Sequence, residues 1–487
     1  MKFQLNGFTS ERNKRKRAVF SFVFLLLLTA TVAFFSLTYS LAFAQSAPTI
    51  PADLTVVART TTSISLAWSP STDSDGTLAG YKIYRNGVWL VTLPAPATTW
   101  FKNSSLAPNT SYRYTVLAYD TSGNMSGQSS SVTVNTLATT PANNGNNTFG
   151  VSVGEALLGL STADRNAYLA NIASLGVTWI RFDMDWSHIQ PNNSTSYNWS
   201  NIDMLVAAAN SYHLKLLPIL DYTPTWAESS ACKALNLNAN RCPPAQMSQF
   251  AAYAKAAAQR YTPDGITDWE IWNEQNLSGM WQPAADGKAY EALLQLTANA
   301  IRSVNPTAGI ITGGMAPAVS SNGNLSPTDF LTQLYAAGGK PYFNAVGMHP
   351  YTYPAMPTYY APWNAWSQLA STPISLRSIM TANGDSGKRI WMTEYGAPTG
   401  GPGNVEDSTQ DTQFSGAPDH VTGPVQAAMF ASAITSVKQD TWSGPLFFYT
   451  RVDMGTSETT NENFFGLLHY DGSEKPAYAT IKDLLIN

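Results

Sequence analysis

The feature that most restricts this chain is an alternation that begins at Phe149. Eight short apolar runs, at 149–153, 177–182, 214–220, 267–272, 309–312, 345–349, 389–393 and 446–449, are separated by stretches with helical signals. Ser161 and Asp164 read as a capping box. Phe250, Tyr253, Ala254, Ala257 and Tyr261 fall on one helical face, and a helix over 289–304 ends before Pro306. Eight such alternations point to an α/β fold of the (β/α)8 barrel type filling 149–487. The rival, a doubly wound open sheet, would need a phosphate-binding turn, and no GxGxxG or P-loop stands at any strand-to-helix junction.

The segment 48–137 has a different texture. Short alternating runs rich in Thr, Ser, Val and Tyr are broken by turn clusters at 71–76 and 85–87, which predicts an all-β sandwich. On Leu66-Ala-Trp68, on Gly80-Tyr-Lys-Ile-Tyr84 and on the stretch from Leu106 to Val116, it resembles a fibronectin type III domain. That resemblance implies that Trp68 is a core tryptophan and that Tyr112 is a corner tyrosine whose hydroxyl bonds back to the backbone. The polar, aperiodic stretch 138–148 reads as a flexible linker.

Residues 1–45 carry Arg12, Lys14, Arg15, Lys16 and Arg17 ahead of an uncharged apolar stretch from Ala18 to Ala44. This is an export signal or a membrane anchor. The small residues Ala42 and Ala44 before Gln45 fit cleavage, while the length of the stretch fits a span. Either way the rest of the chain is expected outside the cytoplasm, secreted or held at the cell surface. Only 12% of the 487 residues are charged and the net charge is −4, with no basic cluster beyond residue 17, so nucleic acid is not an expected partner. In an oxidising compartment the two cysteines, Cys232 and Cys242, are expected to pair and close one polar loop, two free thiols being the alternative. The five histidines are scattered, so no metal or other cofactor is expected.

In a barrel of this kind, chemistry is built at the C-terminal strand ends. The fourth run closes as Trp-Glu-Ile-Trp-Asn-Glu over 269–274 and the seventh as Thr-Glu-Tyr-Gly over 393–396. Period-2 alternation places Glu270, Trp272 and Glu274 on one face, and Ile390, Met392 and Glu394 on another, so that both terminal carboxylates rise into one cleft. Asn273 with Glu274 on strand four and Glu394 on strand seven resembles clan A of the retaining glycoside hydrolases, closest to families thirty-nine and five. Supporting pieces are Arg181 on strand two, His349-Pro-Tyr351 after strand six, and the tail from Glu462 to Tyr478.

The resemblance implies Glu394 as nucleophile and Glu274 as general acid/base of a double displacement, with carboxyls about 5–5.5 Å apart. Their mutual repulsion is expected to raise the pKa of the more buried acid. It further implies that Asn273 bonds the sugar hydroxyl beside the reacting carbon. Arg181 and Tyr351 orient Glu394, and His349 contacts sugar or the nucleophile side. A purely structural pair is the alternative for Arg181. Glu270, lower on its strand, reads as a buried arginine-paired support. Trp186, Tyr222, Trp226, Trp281, Trp366 and Tyr449 are aromatic candidates for stacking on sugar, of which Trp281 and Tyr449 are preferred. The family's usual tryptophan at the end of strand eight is replaced here by Tyr449.

The expected activity is hydrolysis of β-linked glycans of xylan, glucan or exopolysaccharide type. A non-catalytic carbohydrate-binding or adhesive surface protein and a transglycosylase on the same scaffold are the alternatives. The expected partner is a polysaccharide or oligosaccharide; sugar, linkage, endo or exo action and oligomeric state are open at this level.

Overall fold

The computed structural model describes residues 46–59, 63–74, 78–94, 99–136, 148–235, 239–408 and 418–486. The export or anchor segment expected in 1–45 lies outside them, as does all but Thr148 of the expected linker. Among the described residues no helix is long and apolar enough to cross a membrane.

The first part is a sandwich of seven strands. They are β1 (Ala52–Arg59), β2 (Ile64–Ser69), β3 (Leu78–Arg85), β4 (Val88–Pro94), β5 (Trp100–Asn103), β6 (Ser111–Asp120) and β7 (Val132–Asn135). One antiparallel sheet has the order β1-β2-β5 and the other β4-β3-β6-β7. Between them Trp68 is buried with its ring edge-on to Tyr81 at 5.3 Å, the geometry that aromatic quadrupoles favour. The Tyr112 hydroxyl accepts from the Ala107 backbone N–H at 3.0 Å, so the corner tyrosine is formed as expected. The β1-β2-β5 sheet rests against the barrel, where Asp483 of the helix Pro476–Ile486 accepts from Ser65 Oγ and Lys102 Nζ, each at 2.8 Å.

The second part is the barrel. Its strands are β8 (Phe149–Ser152), β9 (Trp179–Asp185), β10 (Lys215–Asp221), β11 (Asp268–Ile271), β12 (Gly309–Thr312), β13 (Ala345–Met348), β14 (Arg389–Tyr395) and, after a small two-stranded excursion of β15 (Val405–Glu406) and β16 (His420–Val421), β17 (Ser443–Tyr449). Every barrel strand pairs in parallel with its neighbour, and β17 closes on β8. All eight apolar runs of the sequence are therefore barrel strands, in order.

Trp179, Leu217, Ile311, Ala345 and Phe447, joined by Trp391, fill the lower interior as one apolar layer. Gly150 is required beneath it, because a Cβ there would lie 2.5 Å from the Phe447 ring. Outside, Ser161 caps the helix Thr162–Ala173 through the Asp164 N–H, and Asp286 caps the helix Gly287–Arg302. The helix Met247–Tyr261 buries the face carrying Phe250, Tyr253, Ala254, Ala257 and Tyr261. With its floor plugged, the barrel keeps polar groups for its upper end.

Candidate active site

The upper interior is organised by one guanidinium. Arg181, on β9 and only 1% exposed, donates from Nε to Glu270 Oε2 at 2.6 Å and from Nη2 to Glu270 Oε1 at 3.0 Å. Its Nη1 donates to Glu394 Oε1 at 2.6 Å and to Ser152 Oγ at 3.1 Å, and Nη2 also reaches Asn273 Oδ1 at 2.9 Å. Burial works against the charged guanidinium, yet Glu270 and Glu394 together raise its pKa, so it stays a cation. Glu270 also accepts from the Gly314 N–H at 2.8 Å, which completes a fully buried, fully bonded support as the sequence predicts.

Glu394 is held from three directions. Besides Arg181, the Tyr351 hydroxyl donates to its Oε2 at 2.7 Å, and His349 Nδ1 lies 3.6 Å from the same oxygen. Burial alone would raise its pKa, but His349, Arg181 and the Tyr351 hydroxyl outweigh burial and hold the carboxyl below its ordinary value. This corrects the expectation that repulsion raises the more buried acid. Glu394 is the more buried of the two, with 14% of its side chain exposed against 22% for Glu274, and it is lowered because its partners are cationic or donating. Burial and the nearby Glu394 push Tyr351 well above the usual phenol value, which keeps it a donor.

Glu274 approaches the same imidazole nitrogen, its Oε1 3.1 Å from His349 Nδ1. His349 is completely buried and can approach this closely only beside a glycine, since a Cβ on Gly314 would lie 2.1 Å from Nε2. Asn273 spends its Oδ1 on Arg181, which leaves its Nδ2 amino group to donate into the cavity it lines. That cavity, of about 670 Å³, is lined by Glu274 and Glu394 together with Asn273, Tyr351 and Tyr449.

The strand alternation did not deliver these carboxylates in the way the sequence suggests. β11 ends at Ile271, and Trp272 and Glu274 adopt left-handed φ angles of 72° and 49°. Trp272 consequently turns outward into the helical layer, 5.9 Å from Phe250, and only Glu270 and Glu274 face inward. Backbone and side-chain bonds pin this turn to the loop after β12. Glu274 N–H donates to Gly314 O at 3.0 Å and Gln275 Nε2 to Gly313 O at 2.9 Å. On β14, Ile390 and Met392 belong to the outer core and Trp391 to the interior layer. A register shift between Met392 and Tyr395 then changes the parity and brings Glu394 inward.

Residues 138–420, more than half of the chain, match the model of the cellulase family, glycosyl hydrolase family 5, and 46–135 match that of the fibronectin type III domain. The chain belongs to glycosyl hydrolase family 5. The family 39 glycoside hydrolase of Bacteroides cellulosilyticus WH2 shares its fold at TM-score 0.52 and 20% identity, over 84% of this chain and 77% of that one. GH5_18 from Streptomyces cattleya, solved with GlcNAc, does so at TM-score 0.52 and 17% identity, over 70% and 80%. Among curated relatives, chitinase Chi52 of Paenibacillus xylanexedens is 35% identical over 182 residues, or 37% of this chain and 29% of the relative. An alpha-amylase of Niallia circulans is 44% identical over 98 residues, or 20% of this chain and 7% of the relative. The chain thus spans only a small part of the length of these relatives.

Of the aromatic candidates in this family 5 barrel, Tyr449 and Tyr222 line the cavity. Trp281 does not: it is 2% exposed, wedged 5.1 Å from Trp272 and 5.8 Å from Tyr290, because the outward turn of Trp272 builds a buried aromatic cluster there. Trp186, Trp226 and Trp366 are likewise packed against other rings, Trp186 on Tyr253, Trp226 on Trp186 and Trp366 on Tyr395. Sequence reasoning missed Asp183 and named Glu462 only as the start of the supporting tail, and both also line the cavity. Asp183 stands two residues beyond Arg181 on the same strand face, a period-2 signal that was there to be read.

Cys232 and Cys242 are bonded, and the loop they close carries Arg241 to the cavity wall. Among the described residues one group, Glu155, Asp185 and His188, brings potential metal-ligating atoms within 4.8 Å of one another. Its members already serve each other. His188 Nδ1 is 2.7 Å from Glu155 Oε1 and 3.6 Å from Asp185 Oδ2, and Asp185 caps the next short helix through the Ser187 N–H at 2.6 Å.

Proposed function

We propose that this family 5 glycosidase is a retaining enzyme that cleaves β-linked glycans outside the cytoplasm, with Glu394 as nucleophile and Glu274 as general acid/base. The observation that carries this reading is the unequal environment of the two carboxylates around His349. Glu394, gripped by Arg181 and Tyr351, is kept ionised and aimed, as a group that must attack the anomeric carbon requires. Glu274, the more exposed, keeps an oxygen toward the cavity where a glycosidic oxygen would leave.

A single imidazole nitrogen lies 3.1 Å from one carboxylate and 3.6 Å from the other. Those oxygens can be no farther apart than the two distances laid end to end. That is the bottom of the range of about 6.5–9.5 Å over which inverting pairs hold a water, and it is compatible with the 5–5.5 Å of retaining pairs. In the first step Glu394 bonds to the anomeric carbon as the glycosidic C–O bond breaks and Glu274 gives its proton to the departing oxygen. In the second, Glu274 takes a proton from water, whose oxygen displaces Glu394 and preserves the β configuration. Asn273 Nδ2 binds the hydroxyl beside the reacting carbon, where charge develops. Arg181, His349 and Tyr351 are positioning residues, and Tyr449 offers a ring face to the sugar.

The apolar N-terminal stretch and the Cys232–Cys242 bond support export, and the fibronectin type III domain fits a spacer or adaptor on a polymer-degrading enzyme. Xylan, glucan and exopolysaccharide are the candidate substrate types. The test is reducing-sugar release across β-glucans, β-xylans, β-mannans and bacterial exopolysaccharides, with the anomer of the first product followed by NMR and Glu394→Gln run in parallel. Release of β product that vanishes in the variant supports the reading; an α product, or release that persists, overturns it.

A further inference from the structure

Glu274 sits in a backbone conformation that a glutamate does not adopt unaided. Its φ of 49°, like the 72° of Trp272, is left-handed and disfavoured for any residue with a Cβ, so the aim of its carboxyl is imposed by bonds from outside the turn. Gly314 O accepts from the Glu274 N–H at 3.0 Å, and the Trp272 ring nitrogen donates to Met280 O at 2.8 Å. Between these two anchors lies Asn276, two residues beyond Glu274, which has no part in the steps assigned to the two carboxylates. It is completely buried. Its Oδ1 accepts from the Ala316 N–H at 2.9 Å, and its Nδ2 donates to Ala316 O and to Leu325 O, each at 2.9 Å. Its own carbonyl accepts from the Leu325 N–H at 2.8 Å. Side-chain oxygen and amino group are thus both satisfied, the amide pairing with Ala316 as a neighbouring strand would.

Those partners are the two ends of one loop, 316–325. Pro317, next to Ala316, lines the catalytic cavity, as does Met280 at the far end of the turn. A second seam runs beside the first. Asn324 Oδ1 accepts from the Ser278 N–H at 2.8 Å and from Ser278 Oγ at 2.9 Å, and Gly323 O accepts from the Ala285 N–H at 2.8 Å. The segment that carries Glu274 and the loop that forms the adjoining wall are therefore stitched together, and Asn276 is the side chain that grips both loop ends at once. We infer that Asn276 is a positioning residue for proton transfer: without lining the cavity itself, it ties the left-handed turn to the 316–325 loop and so keeps the Glu274 carboxyl at the departing oxygen. This deepens the retaining-glycosidase reading and rests on it for the role of Glu274. Gln275 cannot take over, because its Nε2 reaches only Gly313 O. A shift of about 1 Å in the acid costs about 100-fold in rate. Glu394, bonded by Arg181 and Tyr351 from other segments, stays in place.

The test compares the full chain carrying Asn276→Ala with wild type and with Glu274→Gln. Substrates are the glycan that the reducing-sugar panel finds best and the 4-nitrophenyl and 2,4-dinitrophenyl β-glucosides, β-xylosides and β-mannosides. Asn276→Ala is expected to lower kcat/KM about 100-fold on the glycan but less than about threefold on the dinitrophenyl glycoside, whose leaving group departs without a proton. On that glycoside kcat and KM should fall together, because the second step still needs Glu274 as base. Asn324→Ala, which opens only the second seam, should show the same dependence on leaving group at about tenfold, and it carries the test if thermal melts show Asn276→Ala unfolded. The Glu274→Gln control keeps the two readings apart. Leaving-group dependence in Glu274→Gln, with equal losses on all substrates or no loss in the folded seam variant, overturns this inference and leaves the mechanism standing. No dependence in Glu274→Gln ends the acid/base role of Glu274, and amide exchange read by mass spectrometry then judges the clamp. Faster exchange in both 272–285 and 314–326 of the seam variant supports it, and unchanged exchange overturns it.

Discussion

Arg181 Nη1 and Glu394 Oε1 meet at 2.6 Å inside the barrel, and the same guanidinium holds Glu270 and Asn273 with its other nitrogens. One buried cation therefore fixes the carboxylate proposed to attack, the amide proposed to bind the neighbouring hydroxyl, and the counter-charge that keeps itself ionised. Because the guanidinium is planar and always protonated, these three geometries cannot drift independently.

Replacing Glu394 or Glu274 separates their roles. Glu394→Gln should lose about 10,000-fold or more in kcat with any leaving group. Glu274→Gln should lose about 100- to 10,000-fold on natural glycans but far less on aryl glycosides whose leaving group needs no proton. Steady-state kinetics on a leaving-group series checks both.

Removal of the Tyr351 hydroxyl should move the pH profile. Glu394 must be ionised to act, so kcat/KM rises with pH through its pKa, which the Tyr351 donor helps to hold low. Tyr351→Phe raises that pKa, shifts the acid limb to higher pH, and lowers the plateau by about tenfold for the lost bond to a charged group. An acid limb that stays in place would show that Tyr351 does not bear on Glu394.

Glu270 is expected to matter first for stability. Glu270→Gln leaves Arg181 buried with one carboxylate fewer, a loss of about 3 kcal/mol measurable as a shift in the urea midpoint. Abolished turnover in a variant with an unchanged midpoint would make Glu270 more than a support.

Asp183 should weaken the fold as pH rises. Its folded pKa of about 7 lies above the ordinary 3.8, so the folded state binds the extra proton between those values and stability falls through that window. Asp183→Asn removes the titration, and its melting temperature relative to wild type should be higher at pH 8 than at pH 5.

Opening the Cys232–Cys242 loop should cost about 2–3 kcal/mol, as loops of this length do, and loosen the wall that Arg241 contributes to the cleft. Thermal melts and KM values of the Cys232→Ser, Cys242→Ser double variant, compared with wild type, measure both effects.

The sequence by itself determined the eight strands and their order, because each run is an apolar segment whose periodicity switches to a helical one before the next. It also determined the sandwich and the two strand-end glutamates, and its resemblances to known families implied the corner at Tyr112 and the grouping of Arg181, Asn273, His349 and Tyr351 with Glu274 and Glu394. Tertiary structure alone decided how those residues meet. The left-handed turn at Trp272 and Glu274 and the register shift before Glu394 override strand alternation, so the inward aim of both carboxylates came from backbone breaks that no periodicity encodes. The same turn buried Trp281, whose ring the sequence offered to the sugar. The environment that lowers Glu394 rather than raising it, and the unpartnered carboxyl of Asp221, arise from groups brought together across strands far apart in the chain. Electrostatics depends on distance and burial, and those exist only once the barrel has closed.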